Sequence, residues 1–76
     1  MPQVPLLTPK EVIRVFESFG WRYSRTRGSH AMLTCPGRFH SLSILLHDHV
    51  ARGLLRDQIK KADLTIEQFV ARLDEM

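Results

Sequence analysis

The stretch WRYSRTRGSHAMLTC, running from Trp21 to Cys35, decides the fold. Its first half, Trp21 to Arg27, is aromatic-rich and starts with a two-residue alternation, which predicts a strand. Gly28-Ser29 reads as a turn, and His30 to Cys35 as a second strand. Pro36-Gly37 marks the next turn, because Pro presets φ at the first central position and Gly accepts a positive φ at the second. Ser41-Leu42-Ser43-Ile44-Leu45 then alternates cleanly and predicts a third strand. Strands this close together in sequence pair as an antiparallel meander.

Outward from the strands, the period changes to that of a helix. Thr8-Pro9-Lys10-Glu11 combines an N-cap residue, a proline at the first helical position and a glutamate placed to close a capping box. Val12, Ile13, Phe16 and Phe19 follow at helical spacing, and Gly20 supplies a left-handed stop. This predicts a helix over Pro9 to Phe19. On the other side of the strands, Leu55, Ile59 and Ala62 predict a helix from about Val50 to Ala62, with Gly53 weakening its first turn. Asp63-Leu64 breaks it. Thr65 to Gln68 is a second capping box, opening a short helix with an apolar stripe of Ile66, Phe69, Val70 and Leu73. The expected architecture is α+β, in the order α-β-β-β-α-α, with helices covering one face of a three-stranded sheet.

Side-chain parity then assigns the two sheet faces. Leu42 and Ile44 point inward on the third strand, and Ala31, Leu33 and Cys35 on the second. That leaves Ser41, Ser43, His30, Met32 and Thr34 on the outer face. The opposite parity on the second strand would bury His30 and Thr34 and expose Leu33.

The composition sets outer bounds. The chain has 76 residues, 43% hydrophobic and 25% charged, which fits one small folded domain and excludes disorder. A chain this short buries only about 60% of its unfolded surface, so its core is thin. Its longest apolar run, Ile44-Leu45-Leu46, is too short to cross a bilayer, and the opening Met1 to Leu7 has neither the basic nor the apolar region of a signal peptide. A lone cysteine, Cys35, fits a reducing cytoplasm and reads as a small buried hydrophobe. The net charge of +3 permits a polyanionic partner without requiring one.

The chemistry-bearing segment is Gly28-Ser29-His30. Histidine exchanges protons readily near neutral pH. RNA carries its own nucleophile, the 2′-hydroxyl, so cleaving it takes a proton acceptor, a proton donor and positive charge near the phosphate. A histidine beside a glycine turn, flanked by Arg25 and Arg27, meets part of that need; an inert, hydrogen-bonded strand histidine is the plainer alternative. Arg52, Arg56 and Lys60 recur every four residues along the second helix, either as a phosphate-tracking stripe with Arg25, Arg27 and Arg38 or as an ordinary solvated face. Trp21 and Tyr23 read as core rather than as base-stacking platforms. His40 and His47-Asp48-His49 lack the paired ligand spacing of a zinc site.

Taken in order, Phe19-Gly20-Trp21, Arg27-Gly28-Ser29-His30, Ser43-Ile44 leading to His47, Gly53-Leu54-Leu55-Arg56 and Ala62 to Phe69 resemble the HicA (YcfA-like) toxins, over residues 8–73. The resemblance implies a single domain with the fold of double-stranded-RNA-binding domains. It also implies an endoribonuclease that cleaves single-stranded mRNA without a metal cofactor, arrests translation, and is neutralised by a HicB antitoxin. His30 matches the family's catalytic histidine. Gly28 matches the glycine that lets RNA approach closely, and Ser29 a residue that helps position the phosphate. Two departures stand out. Leu45-Leu46 occupies the place where the family usually has a proline, and Asp63 replaces the glycine that usually closes the second helix. The second proton-transfer group stays open among Tyr23, His40, a lysine and water. Two other functions remain in play: a non-catalytic RNA-binding module of this fold, and a protein-docking domain using the open sheet face.

Overall fold

The computed structural model describes residues 3–76; Met1 and Pro2, at the start of the stretch read above for a signal peptide, lie outside the described residues. The order of elements is α1 (Pro9–Ser18), β1 (Arg22–Arg27), β2 (His30–Thr34), β3 (Leu42–Leu45), α2 (Arg52–Lys61) and α3 (Ile66–Glu75). The strands form one antiparallel sheet in the order β1-β2-β3. This is the α+β, double-stranded-RNA-binding-like architecture expected from the sequence.

The helix ends follow from local chemistry. The Thr8 hydroxyl accepts from the Glu11 amide while the Glu11 carboxylate accepts from the Thr8 amide at 2.9 Å, and Thr65 and Gln68 repeat the arrangement at α3. These reciprocal bonds satisfy amides that a helix start leaves without partners. α1 closes with the Trp21 amide donating to Phe16 O and the Gly20 amide to Glu17 O, with Gly20 at φ +101°. α2 closes the same way, Leu64 to Ile59 O and Asp63 to Lys60 O, but here Asp63 takes the left-handed position at φ +59°. Aspartate tolerates that conformation because its short side chain can bond locally. Its carboxylate also receives the Arg38 guanidinium from the β2–β3 loop.

The core lies between the sheet and the helices. Ala31, Leu33, Leu42 and Ile44 on the sheet meet Val12, Val15 and Phe16 from α1, Leu55 and Ile59 from α2, and Phe69 from α3, all at most 2% exposed. The rings of Phe16 and Phe69 pack tilted, 5.1 Å apart, which suits the aromatic quadrupole. Arg72 of α3 donates to the Ser18 carbonyl at 2.8 Å and lies 4.2 Å over the Phe19 ring, tying α3 to the negative end of α1. The inward and outward parity of β2 and β3 is the one expected.

Four details differ from the sequence reading. α3 is not short: it has 10 residues, as many as α1 and α2, and runs on past Leu73 to Glu75. α2 begins at Arg52 rather than Val50, since the Val50 amide is drawn into a bridge with Leu7 O and Ala51 offers no side-chain cap. Tyr23 is not core but 52% exposed, whereas Trp21 is buried. β1 is an edge strand whose six residues are all exposed; beside a register shift between Tyr23 and Arg25, the Tyr23 hydroxyl hydrogen-bonds Thr26. Cys35 is half-buried against the core rather than fully enclosed.

Candidate active site

The site begins at the β1–β2 turn. Gly28 occupies the first central position of this two-residue loop at φ +62°, a conformation that favours glycine and that a right-twisted hairpin requires there. The turn sets the register that follows. Arg27 pairs with His30, Arg25 with Met32 and Arg22 with Thr34; across β2–β3, His30 pairs with Leu45 and Met32 with Ser43. Directly opposed residues share a face. The outer face therefore carries two rows that cross all three strands, Arg27–His30–Leu45 and Arg25–Met32–Ser43, beside the Arg22–Thr34 pair.

His30 is exposed, and its Nδ1 lies 3.0 Å from Ser43 Oγ, its diagonal neighbour across the strand pair. The Ser43 amide, on the free edge of β3, donates to Gln58 Oε1 of α2 at 2.9 Å. α2 thus caps the sheet edge that would otherwise display an unpaired donor. Arg22, Arg25 and Arg27 are exposed, and among the described residues none of them pairs with a carboxylate. The strands contain no Asp or Glu, so this face is uniformly positive around His30.

The residues singled out from the sequence fall into two groups. Arg25, Arg27, Gly28, Ser29 and His30 converge at one end of the open face. Arg56 and Lys60 of α2 do not join them. Gln58 reaches β3, and positions two residues to either side of it project about 200° around the helix. Arg56 and Lys60 accordingly line a shallow cleft with Leu64 and Ile66, between α2 and the start of α3. Arg38 is engaged by Asp63. Of the candidates for a second proton-transfer group, Tyr23 stands opposite the inward Leu33, and His40 lies in the loop at the far end of the sheet from the Gly28-Ser29 turn. Among the described residues no three His, Cys, Asp or Glu side chains converge as metal ligands.

Ser43 is the residue whose contact with the site the sequence did not reveal. Alternation places it on the outer face, but only the strand register brings it beside His30. No element of the described chain is long and apolar enough to cross a membrane as a helix.

Comparison with known proteins adds to this geometry. The model of a family described as the HicA toxin of bacterial toxin–antitoxin systems matches residues 9–64, from the start of α1 to the residue that closes α2. Among solved structures, a chain of a toxin–antitoxin complex from Streptococcus pneumoniae superposes with a TM-score of 0.67 at 27% identity, covering 76% of this chain and 98% of that one. No curated protein matches.

Proposed function

Because this chain belongs to the HicA toxin family, we propose that it is the toxin of a toxin–antitoxin pair and an endoribonuclease that cleaves mRNA through His30. The observation that carries the reading is the placement of His30: exposed, beside a glycine turn, on a sheet face whose only charges are arginines.

In the proposed reaction the neutral imidazole takes the proton of an RNA 2′-hydroxyl through Nε2. The oxygen attacks the adjacent phosphorus, and the P–O5′ bond breaks. The imidazolium proton passes to the departing 5′-oxygen, directly or relayed through water, so the enzyme returns to its starting state. The products are a 2′,3′-cyclic phosphate and a 5′-hydroxyl end. Arg25 and Arg27 balance the charge that builds on the phosphorane oxygens. Nothing lies within 4 Å of where a Cβ on Gly28 would sit, so a sugar–phosphate chain has room to approach the turn, with Ser29 beside it. The substrate is single-stranded mRNA, whose phosphates and splayed bases suit an open, basic strand surface. A HicB-type antitoxin would silence the protein by covering this face.

The test is cleavage of an end-labelled single-stranded RNA, with a chelator present, by the wild type and by His30→Ala. The wild type should shorten the RNA. His30→Ala should lose about 10²- to 10⁴-fold in rate, the usual contribution of a positioned acid–base group, with an unchanged far-UV spectrum and melting temperature. RNA that is retarded in a gel but never shortened would instead make this a binding module. A folded His30→Ala at full rate would remove His30 from the mechanism.

A further inference from the structure

Resting on the reading of His30 as the acid–base group, we propose that Ser43 is its positioning residue, and that α2 sets Ser43 through Gln58. Three observations support this. Ser43 Oγ stands 3.0 Å from His30 Nδ1, within hydrogen-bond range, on the same outer sheet face. The Ser43 amide is fixed by Gln58 Oε1 at 2.9 Å, so the strand segment bearing the hydroxyl is held from the helix side. Ser43 is half-buried while His30 is exposed, so the hydroxyl is the more restrained partner.

The chemistry follows from the two ring nitrogens. Which nitrogen of a neutral imidazole carries the proton is set by the bond the other makes. A serine hydroxyl can donate or accept, because its proton rotates. If Ser43 donated to Nδ1, the proton would sit on Nε2, and the nitrogen facing the substrate would have no lone pair to receive a 2′-hydroxyl proton. With Ser43 accepting from Nδ1–H, Nε2 is free. The same acceptor keeps its bond when His30 becomes the imidazolium, since both ring nitrogens then donate. Ser43 thus does for His30, with a neutral oxygen, the orienting work that a carboxylate does for the histidine of a catalytic triad. A neutral acceptor stabilises the imidazolium less than a carboxylate does, so the expected contribution is smaller than that of a triad aspartate.

Register explains why this pairing needs the fold. His30 sits directly opposite Leu45, and Ser43 is two positions back along β3, a diagonal neighbour that side chains can bridge. The hydroxyl bridges that diagonal only because the β3 edge is pinned. Gln58 is that pin.

The test compares Ser43→Thr with Ser43→Val, two strand-favouring residues of the same shape that differ by a hydroxyl against a methyl. Cleavage is measured as kcat and KM, alongside wild type and His30→Ala, and the His30 tautomer is read from imidazole ¹⁵N shifts in the unliganded protein. Thr should keep the wild-type rate and the Nδ1–H tautomer. Val should lose about tenfold in kcat at unchanged KM and show a mixture of tautomers, while melting as the wild type does. Full rate in Ser43→Val with loss in His30→Ala overturns the role of Ser43 and leaves that of His30 standing. Full rate in both overturns the reading of His30, and the role of Ser43 with it. Equal loss in Thr and Val, with the tautomer unmoved, makes Ser43 a packing residue and also overturns the proposal.

Discussion

The two faces of the sheet share the same strands and turns, yet they hold opposite kinds of side chain. On the inner face, Ala31, Leu33, Leu42 and Ile44 are at most 2% exposed and meet all three helices. On the outer face, one residue along each strand, stand Arg25, Arg27, His30, Met32, Ser43 and Leu45, exposed or half-buried. The difference separates two demands that are hard to meet in one place. A thin core needs every apolar residue it can bury, whereas a site for a polyanion needs charge, access and water. A period of two lets a chain of 76 residues satisfy both with the same strands.

The most direct way to break this comparison is to change the inner face. Leu33→Ala removes a fully buried side chain at the centre of β2 and should cost about 2–5 kcal/mol in urea or thermal unfolding. For a domain this small that is a large share of the total stability. Activity should disappear with the fold, in contrast to His30→Ala, which should lose activity and keep the fold. A Leu33→Ala protein that melts like the wild type would mean that the core lies elsewhere.

Arg27→Ala should sharpen the contrast with a smaller effect. Arg27 is exposed, stands opposite His30 and has no carboxylate partner among the described residues, so its removal should leave the melting temperature unchanged. Cleavage should fall about tenfold, and RNA affinity should become less steeply dependent on salt by about one phosphate contact. Arg56→Ala is the natural control. It faces the α2–α3 cleft, so it should change neither quantity by as much as Arg27→Ala. An equal loss from both substitutions would extend the RNA path onto the helical layer.

Much of this arrangement can be read from the chain, and the parts that cannot share a physical reason. Capping boxes, helix stops and the two-residue period are local signals, so α1, the sheet order and the inward residues were all legible. Tyr23 reads as core from the period, but the period says which way a side chain points, not how far an edge strand is covered. Arg52, Arg56 and Lys60 are a stripe by helical spacing alone, but which neighbour they face depends on how α2 docks. The Ser43–His30 contact depends on register, which turn geometry and packing settle together. The Asp63 position shows the reverse case. The departure from glycine was visible, and the helix still ends in the same hydrogen-bond pattern as α1, with Arg38 held at the aspartate carboxylate.

The smallest expected effect concerns pH, and it asks whether stability really resides on the helical side. Bonds from the Thr8 backbone amide and then the Thr8 hydroxyl hold the Glu11 carboxyl below its ordinary value of 4.5. A carboxyl whose folded-state pKa is depressed adds stability above its unfolded value, and that stability drains away as pH falls through the folded value. Glu11→Gln keeps a side chain able to close the capping box but removes the charge. The wild type should therefore exceed Glu11→Gln in melting temperature by a few degrees or less at about pH 7, and the two should converge as pH falls through the folded value. Glu11 is fully exposed at the start of α1, on the helical side of the sheet, so the cleavage rate at about pH 7 should be the same in both proteins. A rate that changed with Glu11→Gln would mean that the start of α1 belongs to the RNA surface, and the division between a stabilising side and a reacting side would have to be redrawn.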